Sequence, residues 1–348
     1  MTEPGPHRRF NPLRGEWVLV SPQRSGRPWQ GQVETTVVVD PPAYDPACYL
    51  CPGNVRANGS RNPGYSTTFA FENDFGALVP LAGESLAGNQ LLKAQPERGV
   101  CRVLCFTPRH DLSLPRMNRD DVRTVVDAWV GECAALAEVP WLRYALVFEN
   151  RGPLMGASNP HPHCQIWATE HVPDEPAAER ASLTAYAAEH DSCLLCDYVR
   201  LEIEKSERVV CVNDHFAAIV PFWAVWPFET LVVARRHVAA IAHLDDAGRD
   251  ALADLLKALT TRYDNLFEAP FPYSMGFHQQ LRAGADAHEH LHAHFYPPLL
   301  RGAVRKFMVG FELLGSPQRD ITPEEAARRL QSVDAVHYSD RARAGTAR

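Results

Sequence analysis

The chain has 348 residues, 45% of them hydrophobic, and a formal net charge of -7. That is apolar material for a large core and, by length, for about two domains. The acidic balance with scattered cations excludes a nucleic-acid-coating role, and no apolar run approaches the ~20 residues of a membrane span. Residues Met1 to Arg9 are polar and lack the apolar centre of a secretion signal. Nine cysteines in such a chain predict a reducing compartment, hence a cytoplasmic protein.

In chain order, Asn11-Pro12-Leu13 leads into a strand-like Val18-Leu19-Val20 and then a Pro/Gly-rich loop holding Arg24 and Arg27. Loop arginines are often solvated surface, but the guanidinium fork also suits bidentate phosphate contact. Cys48-Tyr49-Leu50-Cys51 is a Cys-x-x-Cys knuckle whose thiolates reach one tetrahedral metal, with His110 and His161 as candidate partners. Asn73-Asp74 reads as a turn before the expected strand Ala77-Leu78-Val79-Pro80. Residues 118–138 predict a helix with an acidic first turn and an apolar face of Val122, Val125, Val126, Trp129 and Val130. Tyr144 to Phe148 reads as a buried strand. The loop after it, with Gly152, Gly156 and Ser158, has the composition of a phosphate cradle. His161-Pro162-His163-Cys164-Gln165-Ile166-Trp167 then places His161, His163 and Gln165 on one face, with Cys164 and Ile166 on the other.

Past a helix expected from about 177 to 189, the first half recurs. Cys193-Leu194-Leu195-Cys196 echoes the first knuckle, and Asn213-Asp214 echoes Asn73-Asp74. Arg236-His237 echoes Arg109-His110, a helix at 245–268 matches that at 118–138, and His290-Leu291-His292-Ala293-His294 echoes His161-Pro162-His163. A duplicated module is the economical reading. The expected fold is α+β, two modules that each pack a helix on an antiparallel sheet, able to join into one larger sheet. The boundaries are 1–176 and 177–338, with 339–348 a disordered tail. The segment from Val304 to Glu312 mixes cations, apolar residues and a carboxylate, as an amphipathic strand does.

Phe148 to Trp167, within this order of elements, resembles the active-site signature of the galactose-1-phosphate uridylyltransferase family, a branch of the histidine-triad superfamily. The resemblance runs from Asn11 to about Leu330. Two positions depart from it: Cys164 stands where the family usually has Gly, and Phe311 where it usually has Tyr. The resemblance implies histidine-triad-like modules, with UMP passing from UDP-glucose to galactose 1-phosphate by a ping-pong route through uridylyl-His163. It implies substrate contacts from Arg24, Arg27, Asn73, Asp74, Asn150, Gly156, Ser158, Gln165, Lys306, Phe307, Val309, Phe311, Glu312 and Gln318. It implies zinc on Cys48, Cys51, His110 and His161, and a homodimer with shared active sites.

For a second metal, iron or zinc, the family pattern matches Glu179, His278, His292 and His294. The internal repeat instead suggests Cys193, Cys196, His237 and His292, and both sets claim His292. The Glu179 set is preferred, and the two are not expected to fill together. Gln165 argues for a transferase over a hydrolase, because an amide cannot hand a proton to a leaving group as a third histidine can. The alternatives are a related phosphorylase using an adenine nucleotide and a non-catalytic metal- or nucleotide-binding protein.

Overall fold

The structure is a computed structural model that describes residues 5–26, 41–81, 83, 88–282, 288–302 and 304–346. Arg27 lies outside the described residues. Near the N-terminus, β1 (His7–Asn11) and β2 (Glu16–Val20) form an antiparallel pair. Then follow β3 (Phe69–Glu72), β4 (Gly99–Cys105), helix α1 (Arg119–Ala137), β5 (Tyr144–Arg151) and β6 (His163–Thr169). The second half supplies α2 (Asp174–His190), α3 (Leu194–Lys205), β7 (Val209–Val212), β8 (Phe216–Ile219), β9 (Thr230–Ala234), α4 (Asp246–Phe267), β10 (Tyr273–His278) and β11 (His292–Tyr296).

Among the described residues, nine strands make one sheet, in the order β3-β4-β6-β5-β10-β11-β9-β8-β7. The centre is the antiparallel pair β5–β10, in register Phe148↔Gly276 and Glu149↔Met275. These are corresponding strands of the two halves, so the duplicated modules share one continuous sheet across a pseudo-twofold.

Both long helices cover the same face. Helix α1 starts where Asn118 Oδ1 accepts the Asp121 N–H, and α4 where Asp245 Oδ1 accepts the Gly248 N–H. Their apolar stripes meet the sheet in one core that includes Val122, Trp129, Leu252, Leu256 and Tyr263. Each large side chain buried this way contributes roughly 1.5–3 kcal/mol. Cys164, Ile166 and Ala168 alternate into that core from β6. Cys164, the unusual residue of the motif, accepts the Trp129 Nε1–H at 3.2 Å. It therefore faces the helices rather than the functional face.

The opposite face differs between the halves. In the second half α2 and α3 cover it, in a core of Leu183, Leu194, Leu195 and Val199 against Ile219, Leu231 and Val233. In the first half Cys48, Leu50 and Cys51 pack on Val103 and Cys105 of β4. His163, Gln165 and Trp167 of β6 remain only half-buried.

Three expectations are corrected. Residues 77–80 do not form a strand; Val79 only accepts the Gly99 N–H at 2.9 Å, and Pro80 lacks the N–H a ladder needs. Between Val304 and Glu312, strand is confined to β13 (Val304–Arg305), which pairs with β12 (Leu299–Arg301), and α5 (Phe311–Leu314) begins at Phe311. Of the residues expected as a disordered tail, 347 and 348 lie outside the described residues, and 339–346 belong to a helix over Tyr338–Thr346, after α6 (Pro323–Ser332). Long-range polar contacts at the end of α4 hold its start: Asn265 Oδ1 accepts the Tyr338 N–H at 2.7 Å, and His337 Nε2 lies 3.2 Å from Asp264. Asp264 also receives both terminal nitrogens of Arg151 from β5, at 2.6 and 2.8 Å.

Candidate active site

The site is built around the irregular chain that leads into β6. His161 donates Nε2–H to the Thr107 carbonyl at 2.9 Å, which leaves the Nδ1 lone pair toward Cys51 Sγ at 3.5 Å. His110 Nδ1 lies 3.6 Å from the same sulfur. Cys48, Cys51, His110 and His161 bring one donor each within 4.8 Å of one another, all buried. Two ligands of one tetrahedral zinc, one sulfur and one imidazole nitrogen, stand ~3.5 Å apart. The four residues therefore fit a closed zinc site. Burial pushes the Cys51 thiol up to about 11, a cost that a divalent cation offsets. Asn159 orders the approach, since its Oδ1 accepts the His161 N–H at 2.9 Å.

The His161 carbonyl accepts Nδ1–H of His163 at 2.7 Å. One imidazole tautomer is thus set, and the Nε2 lone pair of His163 is left for the cleft. Burial lowers the His163 pKa below its ordinary value, while the bond to His161 works the other way. A neutral imidazole is the form that attacks phosphorus. Beside it, Gln165 Oε1 accepts from Trp167 Nε1 at 2.9 Å and from Asn73 Nδ2 at 3.3 Å. With its oxygen so engaged, the amide NH2 is the donor Gln165 has to offer.

The cleft above these residues, about 320 Å³, is lined by Phe71, Asn73, Asp74, Ser158, His163 and Gln165 among others. It continues past Ser158 to Asn150 and Gly156. Asn73 Oδ1 holds the turn by accepting the Phe75 N–H at 3.0 Å, so Asn73 is both a turn former and a cleft residue. Asp74 lies 3.5 Å from Arg56. Asn150 accepts from the Ser274 hydroxyl of β10 at 2.7 Å, so the second half supports the floor. The cradle reading of the loop is corrected in one respect. The amides of Met155, Gly156 and Ala157 bond inside the loop, to Gly152 and Pro153 carbonyls, so these three are not open to a phosphate. Positive φ at Gly152 (83°) and Gly156 (76°) lets it close this tightly.

Arg24, Lys306, Glu312 and Gln318 gather elsewhere on the chain. The two-residue strand β14 (Gln318–Arg319) adds in parallel to β2, and Asp320 beyond it bonds Arg24 Nε and Gln318 Nε2, each at 2.9 Å. Lys306 Nζ donates to the Gln318 carbonyl and lies 3.5 Å from Glu312. Phe307, Val309 and Phe311 are exposed, with Leu313 and Leu314 beside them. None of this group lines the His163 cleft of the same chain.

Glu179 of α2 meets three imidazoles. His278 Nδ1 is 2.6 Å and His292 Nε2 3.1 Å from Oε2; His294 Nε2 is 3.2 Å from Oε1, without hydrogen-bond geometry. A buried imidazole nitrogen left without a hydrogen bond fits a ligand better than a structural pair. The sets do not compete for His292, which corrects the earlier expectation. Cys193 and Cys196 group with His237 and His290, while His292 belongs with Glu179. The halves align His290, not His292, with His161.

Sequence reasoning missed Trp167, Asn159, Tyr65 and Arg56. Strand alternation alone puts Trp167 beside Gln165. Tyr65, whose hydroxyl is 3.2 Å from His161 Nε2, and Arg56 come from a distant loop that leaves no local signal.

Fold and site define a duplicated α+β protein with two His-x-His strands, one opening on a cleft and one covered. A family model described as galactose-1-phosphate uridyl transferase, N-terminal domain, matches residues 2–173, and the C-terminal domain model matches residues 179–342. The chain belongs to the galactose-1-phosphate uridylyltransferase family. It is 50% identical over 339 residues to the galactose-1-phosphate uridylyltransferase of Rattus norvegicus, covering 95% of this chain and 89% of that one. It is 48% identical to that of Haemophilus influenzae, covering 97% of each. A solved uridylyltransferase mutant superposes with a TM-score of 0.76 at 26% identity, covering 94% of this chain and 97% of that one. Among the described residues, no helix is long and apolar enough to cross a membrane.

Proposed function

We propose that this protein transfers UMP from UDP-glucose to galactose 1-phosphate through a covalent intermediate on His163. The observation that carries this is the His163 tautomer, Nδ1–H held by the His161 carbonyl at 2.7 Å and Nε2 free beside Gln165. In the first half-reaction Nε2 forms a bond to the α-phosphorus, the bond to the bridging oxygen breaks, and glucose 1-phosphate leaves. The imidazole keeps its Nδ1 proton, and the His161 carbonyl shares the positive charge that develops. In the second half-reaction a phosphate oxygen of galactose 1-phosphate attacks the same phosphorus and restores neutral His163. The group that leaves in the first half-reaction and the group that attacks in the second are both ionised phosphates, so neither acid nor base help is much needed. The Gln165 amide suits a non-bridging phosphoryl oxygen, where a fixed dipole stabilises developing charge. Asp74 suits the ribose diol as a carboxylate acceptor.

Zinc held by Cys48, Cys51, His110 and His161 would be closed and structural, fixing His161 and through it His163. A second metal, iron or zinc, would sit on Glu179, His278, His292 and His294. All nine cysteines are free, which fits the reducing cytoplasm. The two-step reading is tested without galactose 1-phosphate. Labelled glucose 1-phosphate should exchange into UDP-glucose, and initial rates with both substrates should give parallel double-reciprocal lines. Absence of exchange, or intersecting lines, would point to direct transfer.

A homodimer with shared sites accounts for the polar group around Asp320. Arg24, Lys306, Glu312 and Gln318 are set apart from their own chain's cleft, beside the exposed segment Phe307 to Leu314. A twofold dimer would bring each group to the partner's His163. Mixing an inactive His163→Gly variant with an Arg24→Ala variant should then recover about a quarter of wild-type activity, since half the exchanged dimers carry one intact site of two. No recovery after verified subunit exchange would refute sharing.

A further inference from the structure

The covered His-x-His strand repeats the geometry of the open one. His290 donates Nε2–H to the Ala234 carbonyl at 2.8 Å, as His161 does to Thr107. Its Nδ1 turns to Cys193 Sγ at 3.2 Å and Cys196 Sγ at 3.6 Å. His237 stands edge-on to it with ring centroids 5.2 Å apart, against 5.5 Å for His110 and His161. The next histidine follows suit: His292 donates Nδ1–H to the His290 carbonyl at 2.7 Å, the same distance as His163 to His161.

Two half-buried thiols need no special account, but His290 does. It is 1% exposed, its Nε2 is committed to a carbonyl, and its Nδ1 lone pair faces two sulfurs. A thiol is only a weak donor, so a buried lone pair aimed at two sulfurs is served better by a cation between them than by one S–H. These separations bracket the ~3.5 Å between a sulfur and a nitrogen on one tetrahedral zinc. Cys193 is also the N-cap of α3, where the helix dipole favours a thiolate. The Glu179 set uses none of these four residues.

We propose that Cys193, Cys196, His237 and His290 hold a zinc ion of their own, beside the two other metal sets, so that each chain binds three metals. The second half is then a copy of the active-site frame in which the counterpart of the nucleophile is captured. His292 is anchored through its backbone neighbour to one metal, and its Nε2 faces Glu179 in place of an open cleft. The sequence there reads His-x-His-x-His, yet α2 closes the space a substrate would need.

Metal content of the purified protein, measured by inductively coupled plasma mass spectrometry, tests this. Wild type should carry three equivalents per chain, a Cys193→Ser/Cys196→Ser variant two, Glu179→Ala two, and the triple variant one. With Co2+ as the probe, thiolate-to-cobalt charge-transfer absorption should fall by half in the double-serine variant. It should stay unchanged in Glu179→Ala, whose set has no sulfur. His237→Ala, at an exposed position, serves if the double variant fails to fold, and should weaken one sulfur-bearing cobalt site alone. Two equivalents in wild type, an undiminished cobalt–thiolate band in the cysteine and His237 variants, or a Cys193–Cys196 disulfide in freshly purified protein would overturn the proposal.

Discussion

His163→Gly should lower kcat by at least about 10⁴-fold, the scale on which losing a covalent nucleophile acts. The fold should survive. His163 is half-buried at the start of β6, and the core side chains of that strand, Cys164, Ile166 and Ala168, point the other way. Asn73, Asp74, Ser158 and Gln165 would still line the cleft, so UDP-glucose should still bind. The deleted ring leaves a space of its own shape beside the His161 carbonyl. Free imidazole supplied with UDP-glucose should enter it, attack the α-phosphorus and release glucose 1-phosphate, leaving uridylyl-imidazole in solution. Phosphorus NMR would identify that phosphoramidate. Near wild-type turnover in the glycine variant would remove His163 from the nucleophile's role. A variant with no turnover and no binding of UDP-glucose would show instead a damaged cleft.

Cys51→Ser should remove one zinc per chain, destabilise the first half and slow the chemistry. Cys51 is the sulfur that both imidazoles of its set approach, at 3.5 and 3.6 Å. A structural zinc in an isolated finger contributes on the order of 10 kcal/mol. Here the sheet and α1 share the load, so the expected loss is nearer about 2–5 kcal/mol, that of a cross-link removed from a small domain. The kinetic effect runs through one residue. Without the metal, the His161 ring is anchored only on its Nε2 side, at Thr107 and Tyr65, and the His161 carbonyl is what fixes the His163 tautomer. Loss of such an outer partner costs 10–100-fold in comparable metal sites, and about that fall in kcat is expected here. KM for UDP-glucose should move less, because the cleft lining is untouched. Unchanged zinc content would remove Cys51 from the ligands. Unchanged kcat in a zinc-depleted variant would break the link from metal to nucleophile.

Much of this was legible locally. The two-residue period of a strand puts His163 and Gln165 together, and the Cys-x-x-Cys spacing permits two thiolates on one ion. The apolar periodicity from Val122 to Val130 and the acidic first turn place α1 almost to the residue. The echo of elements predicts a repeated module. Other features left no local trace. Helix α3 opens on the residues that read as a second knuckle, and a Cys-x-x-Cys spacing carries no sign of the helix it begins. The helix from Tyr338 rests on Asn265 and Asp264, more than seventy residues upstream.

The division of the second-half histidines falls between these cases. A strand period cannot tell His290 from His292, because both lie on one face two residues apart. What separates them is which ring nitrogen each has free. Carbonyls set that: Ala234 takes Nε2–H of His290, and His290 itself takes Nδ1–H of His292. The sequence alone determined which residue types share a face and in what order the elements run, since both follow from spacing along one chain. Only the tertiary structure decided which copy of the motif stays open. That depends on α2 and α3 closing over β8 and β9, with Glu179 of α2 against His292 and His294 of β11, while the equivalent face of β4 and β6 keeps its cleft. Burial is a property of packed surfaces, and neighbours in space are not written in neighbours along the chain.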